Sequence, residues 1–230
     1  MKNTYWLLRH GKSLANEAGI IISKKENGVS EEWRLAAEGR EQALSAGELL
    51  RQQLAAAFPH AVAAGLNITD AAQLQVYCSP FSRTKETAIL AAGKAGLRVE
   101  EDPGLMRAGG RFQVVDSLME RDFGMDLEKK PYGGAYEALW EQDAQDSSSR
   151  AGKDGESVAD VSIRIKSLFK ELESRHDGVH ILLVGHGDTL SILQATMEGA
   201  DIREHRKYAF KTGELRLLLG AVSPSLIQRT

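Results

Sequence analysis

Two short apolar runs in this chain stop in the same way. Tyr5-Trp6-Leu7-Leu8 gives way to Arg9-His10-Gly11, and Ile181-Leu182-Leu183-Val184 gives way to Gly185-His186-Gly187. A brief apolar run without polar alternation marks a strand buried on both faces, as in the middle of a parallel sheet. Parallel strands need a crossover between them, usually a helix, and open parallel sheets gather ligands outside the carboxyl ends of their strands. Both histidines are therefore expected at the sheet edge where sites form.

The rest of the chain supplies the other strands and crossovers. Gln75-Val76-Tyr77-Cys78 reads as a strand halted by Ser79-Pro80, and Ser82 to Ala95 follows as a helix rich in good helix formers. From Glu38 onward, Ala43, Gly47, Leu50 and Leu54 share one helical face, with Pro59 beyond it. Ser157 is placed to cap a helix on which Val158, Val161, Ile165, Leu168, Phe169 and Leu172 recur at helical intervals. Another helix begins near Thr189, and Glu214 to Leu219 supplies a last strand. This alternation predicts an α/β fold, a three-layer α/β/α sandwich with a largely parallel central sheet. Residues 104–155 are different. Gly109-Gly110, Gly133-Gly134 and Ser147-Ser148-Ser149 punctuate a polar stretch that reads as a lid-like insertion within a single domain spanning residues 1–230.

Composition narrows the function. With 42% hydrophobic residues among 230, the chain can bury a proper core. A net charge of −3, 6% aromatics and no basic stripe argue against a nucleic-acid partner, and no run of ~18 apolar residues suits a membrane. The one cysteine, Cys78, cannot close an internal disulfide, and the first residues lack a signal peptide's apolar stretch. The expected location is the cytoplasm, or an organelle after removal of a transit peptide. Gly11-Lys12-Ser13 imitates the end of a P-loop, but Trp6 stands where that motif requires glycine. His10, His186 and Asp188 lack recognised metal-ligand spacing, so neither a catalytic metal nor another cofactor is expected. His60, His176, His180 and His205 carry no motif and read as solvated or structural.

Three strand ends thus carry Arg9-His10-Gly11, Ser79-Pro80-Phe81-Ser82-Arg83 and Gly185-His186-Gly187. Two guanidinium forks suit phosphate oxygens, and two imidazoles can serve as nucleophile, acid, base or donor. Together they describe a phosphoryl pocket. Leu8-Arg9-His10-Gly11-Lys12-Ser13 with Asn16 resembles the signature of the histidine phosphatase superfamily, which includes the cofactor-dependent phosphoglycerate mutases. The likeness continues in the family's order through Leu35 to Ala43, Ser79 to Ala88, Leu118 to Gly124, Gly155-Glu156-Ser157 and Val184 to Gly187.

The resemblance implies a small-molecule phosphate ester as partner and His10 as the nucleophile that becomes phosphohistidine, its other ring nitrogen held by a backbone carbonyl. It implies that Arg9 and Arg83 bind the phosphoryl oxygens, that His186 hydrogen-bonds the same group, and that Glu120 is general acid and base, with Asp122 as fallback. Asn16 either donates to phosphate or caps a turn, and Gly187 lies with the substrate-binding residues. Lys12 departs from the acid that close relatives usually carry, and Ala36 from their common hydroxyl residue. The mutases' segment after Asn16 and their paired arginines after Glu120 are missing, with Lys129-Lys130 only a partial substitute or simply exposed charges. Metal-independent hydrolysis of small phosphate monoesters is thereby favoured over phosphoglycerate mutation. It is also favoured over a regulatory protein that binds phospholigands without turnover.

Overall fold

The computed structural model describes residues 1–98 and 110–218. Five strands, β1 (Thr4–Arg9), β2 (Gln75–Cys78), β3 (Phe112–Val114), β4 (His180–Gly185) and β5 (Leu215–Leu218), form one sheet in the order β3-β2-β4-β1-β5. All neighbours are parallel except β5, which runs antiparallel to β1. The helices are α1 (Leu14–Ala18), α2 (Lys25–Gly28), α3 (Ala37–Ala57), α4 (Pro59–Ala63), α5 (Ile68–Ala71), α6 (Ser82–Ala95), α7 (Ala135–Gln145), α8 (Val158–Arg175) and α9 (Gly187–Glu198).

The period of two along each strand sends alternate side chains into two separate cores. Tyr5, Leu7, Ile181 and Leu183 join Val161, Ile165, Leu168 of α8 and Ile192, Leu193 of α9 on one face. Trp6, Leu8, Leu182 and Val184 join Leu50 and Leu54 of α3 and Ala88, Ala91 and Ala92 of α6 on the other. Fully burying an aliphatic side chain of this size contributes about 1.5–3 kcal/mol, which is why the central strands tolerate almost no polar residues. On the second face α3 approaches α6 closely at Gly47, where any side chain would collide with the backbone of Ala91. The expected cap of α8 is present as a reciprocal pair: Ser157 accepts from the Asp160 amide, and Asp160 accepts from the Ser157 amide.

Register is what builds the site. Arg9 stands opposite Gly185, so His10 and His186 leave the sheet side by side. Cys78 stands opposite Val184, which brings Ser79 to the same edge. Cys78 itself is buried, and burial pushes its thiol pKa up to about 12.

The stretch read as an insertion contributes to the sheet as well. Phe112–Val114 pairs with β2 as an edge strand. Three residues are too few to show alternation, and the glycines before them dominated the reading. Later in the stretch α7 forms one wall of the cavity. Residues 104–109 and Leu219 lie outside the described residues. Among the described residues no helix is long and apolar enough to cross a membrane.

Candidate active site

The loop after β1 is held by backbone contact. Gly11 and Gly39 lie so close that a side chain on either would strike the other loop's backbone. The Gly11 amide donates to Thr87 Oγ1 at 3.1 Å, and the Lys12 amide to Gln42 Oε1 at 2.9 Å. The glycine after His10 is thus required by packing against the start of α3. Replacing Gly11 by alanine should cost about 1–3 kcal/mol of stability, read by urea unfolding, and should also lower turnover because His10 is displaced. Unchanged unfolding would show that the loop yields easily.

His10 is buried, and its Nδ1 lies 2.7 Å from the Gly11 carbonyl oxygen. A carbonyl only accepts, so Nδ1 carries the proton and Nε2 keeps its lone pair. Nε2 accepts from Arg83 Nε at 3.2 Å. Burial, then the charges of Arg83 and Arg9, hold the His10 pKa well below its ordinary value, so the ring is neutral near pH 7.

Arg83, the second residue of α6, also donates through Nη2 to the Ile22 carbonyl at 2.9 Å and to His186 Nδ1 at 3.2 Å. His186 then carries its proton on Nε2 and donates to Ser79 Oγ at 2.8 Å. Its ring meets that of His10 edge-on with centroids 5.1 Å apart. Arg9 donates to the Phe210 carbonyl at 2.6 Å, and Gly187 leaves it room: a Cβ there would sit 3.1 Å from the guanidinium carbon. Arg9 Nε and Arg83 Nη1 are buried without an acceptor among the described residues. Buried donors left unpaired cost about 1–3 kcal/mol each, so a tetrahedral oxyanion is the natural complement of this pair.

Glu120 Oε1 accepts from the Arg121 amide at 3.0 Å and the Thr189 amide at 3.3 Å, while the Thr189 hydroxyl beside it donates to the Met119 carbonyl at 2.7 Å. Burial, then the negative charge of Asp188, raises its pKa despite the opposing pull of Arg83. Behind it lies a buried ionic cluster. Arg121, fully buried, pairs with both oxygens of Asp143 at 2.6 and 2.9 Å and reaches Asp188 at 3.3 Å. Asp188 Oδ1 accepts from Trp140 Nε1 at 3.1 Å and His205 Nε2 at 3.3 Å. Burial opposes ionisation of Asp188, but His205, Arg121 and Arg206 together hold its pKa down at about 2. Changing Arg121 to Met would strand the buried carboxylate of Asp143 and take one partner from Asp188, and a loss of about 3–5 kcal/mol is expected in urea unfolding. A loss under about 1 kcal/mol would show that the pair is solvated in practice.

These groups surround a cavity of about 330 Å³. Of the residues singled out in the sequence, Arg9, His10, Asn16, Arg83, Glu120 and Gly187 line it. Asn16 Oδ1 is engaged by the Ser13 amide and hydroxyl, both at 3.0 Å, so the residue caps α1 while also facing the cavity. His186 stands behind Arg83. It is fully buried, does not line the cavity, and spends both ring nitrogens on Arg83 and Ser79. Asp122 is paired with Lys24 at 2.9 Å and lies off the cavity wall. Lys12 forms a surface pair with Glu38, and Lys129 and Lys130 are exposed and do not line the cavity.

Sequence reading passed over the opposite wall: Tyr132, Tyr136 and Trp140 on α7 and the turn before it, and Arg206 beyond α9. The spacing of four between the three aromatics is a signal of one helical face. Arg206, in a short 3-10 segment among other charges, offers none. His205, read as solvated or structural, is a buried partner of Asp188. Among the described residues no cluster of three or more His, Cys, Asp or Glu side chains is arranged to hold a metal.

Known proteins share this fold. The sequence is 24% identical over 204 residues, 88% of this chain and 78% of the relative, to an Erwinia tasmaniensis protein described as a probable phosphoglycerate mutase. Among solved structures, a mycobacterial glucosyl-3-phosphoglycerate phosphatase complexed with VO3 has a TM-score of 0.66 at 19% identity, covering 92% of this chain and 88% of its own. An Entamoeba histolytica phosphoserine phosphatase variant with phosphoserine has a TM-score of 0.63 at 18% identity, covering 93% of this chain and 88% of its own. Residues 5–221 match the sequence pattern of the histidine phosphatase superfamily, branch 1, and the chain belongs to that superfamily.

Proposed function

We propose that this protein is a metal-independent phosphatase that hydrolyses small phosphate monoesters through a phosphohistidine on His10. The observation that carries this reading is the fixed tautomer of His10. Its Nδ1 proton is committed to the Gly11 carbonyl, and its unprotonated Nε2 lies among the donors of Arg83 and close to Arg9 on one cavity wall. In-line attack by Nε2 forms the N–P bond as the ester P–O bond breaks. Arg9 and Arg83 supply donors for the equatorial oxygens.

Glu120, whose pKa is raised by burial and by Asp188, delivers its proton to the departing alkoxide. As carboxylate it then takes a proton from the water that attacks phosphorus, and His10 leaves as the neutral ring. The backbone amides of Arg121 and Thr189 hold the Glu120 oxygen for both steps. His186 acts through Arg83, whose guanidinium it accepts from. Membership of the superfamily supports phosphoryl transfer.

The reading is tested by phosphate release from benzyl phosphate and from 3-phosphoglycerate in excess EDTA. Steady release that EDTA does not slow is the expected result. Isomerisation of 3-phosphoglycerate without release, or no reaction with either ester, would overturn it.

A further inference from the structure

The reacting groups account for only one side of the cavity. The other is a column of stacked rings. Tyr132 and Tyr136 have centroids 5.8 Å apart with planes 20° from parallel, and Tyr136 and Trp140 lie at 5.4 Å and 10°. The Arg206 guanidinium closes the column 3.5 Å above the Trp140 ring. Tyr136 thus lies between Tyr132 and Trp140 in the stack, and Tyr136 and Trp140 offer ring edges to the cavity together with the Tyr136 hydroxyl, which is near enough to Glu120 and Arg83 to feel their charge. Ring edges carry the positive side of the aromatic quadrupole and pack well against the face of another ring.

The charges on the wall are already matched. Counting histidines as neutral, Arg9 and Arg83 face the phosphoryl dianion. Arg206 lies 3.6 Å from the ionised carboxylate of Asp188, and Arg121 is held by Asp143. Glu137 adds an exposed carboxylate to the lining. A second anionic group on the substrate would find no further unmatched cation among the described residues lining the cavity and would meet Glu137.

We propose that the leaving-group half of the cavity is a subsite for a neutral, ring-bearing alcohol, selecting against phosphate esters whose alcohol carries a carboxylate. The column's edges and apolar area supply the attraction, and the Asp188–Arg206 pair and Glu137 supply the discrimination. This inference rests on the phosphatase reading for what the site does, but selectivity can be read without turnover.

The experiment is titration calorimetry of the full chain at pH 8 in EDTA with two probes that resist hydrolysis, benzylphosphonate and 3-phosphonopropionate. Benzylphosphonate is expected to bind at least about tenfold more tightly, the scale at which a hydrophobic pocket discriminates. Tyr132→Ala, a change at an exposed position, should weaken benzylphosphonate alone. Glu137→Gln, which needs no buried change, should improve 3-phosphonopropionate alone. Equal or tighter binding of 3-phosphonopropionate by the unaltered protein, or no binding of either probe, would overturn the inference. Because the readout is binding, failure to hydrolyse esters would count against the phosphatase reading and leave this result to be judged separately.

Discussion

Replacing His10 by alanine should lower kcat/KM for any phosphate ester by about 10⁴-fold or more, the scale seen when a covalent nucleophile is removed. The loss follows from geometry. Arg83 and Arg9 donate but cannot attack, and His186 is fully buried off the cavity wall that His10 lines, so no second imidazole among the described residues faces the phosphoryl group. The fold should survive the change. His10 is buried with its pKa depressed, and its ring contributes desolvation cost as well as packing. Urea unfolding of His10→Ala close to that of the unaltered protein, beside the kinetic loss, separates nucleophile from scaffold. Substantial activity remaining in His10→Ala would show that another group attacks phosphorus.

Glu120→Gln is expected to lower kcat by about 10²–10⁴-fold with benzyl phosphate, the usual contribution of a positioned proton donor. The loss should be smaller with p-nitrophenyl phosphate, whose leaving group departs as a stable anion. The pH dependence follows from the direction of the shift. Burial and Asp188 raise the Glu120 pKa, so the acid form persists to higher pH than an ordinary carboxyl group, and turnover limited by leaving-group protonation falls as pH rises through that raised value. His10 is shifted downward, so the acid side of the profile extends below the ordinary histidine range before the nucleophile is protonated. Glu120→Gln should abolish the alkaline fall that belongs to this carboxyl group. A variant that keeps both the rate and the fall would move the role to another group.

Much of this site was legible before the structure because its residues are tied to strand ends. His10, Arg83 and His186 follow apolar runs whose period and length mark them as parallel strands, and such sheets bring those ends together. The long helices α3, α6, α8 and α9 were equally plain from their apolar spacing. What stayed hidden depends on contacts between distant segments. The three-residue strand β3 is recruited by the edge of β2, not by its own pattern. The contact of His186 with Arg83, which reaches across from α6, was likewise outside what the sequence shows. Asp122 and Glu120 are two residues apart in a charged segment, and only the fold turns one to Lys24 and the other to the cavity. Arg206 enters the wall because Trp140 and Asp188 hold it there.

The central claim is that phosphate is transferred through His10, and the direct measurement is to trap the phosphoenzyme. The protein would be mixed with benzyl phosphate in EDTA, quenched within milliseconds in alkali, where phosphohistidine survives, and digested for mass spectrometry. A phosphoryl group found on the peptide containing His10, formed and discharged at rates no slower than turnover, is the expected result. Steady turnover with no phosphorylated His10 at any time, or phosphate on a different residue, would contradict the account.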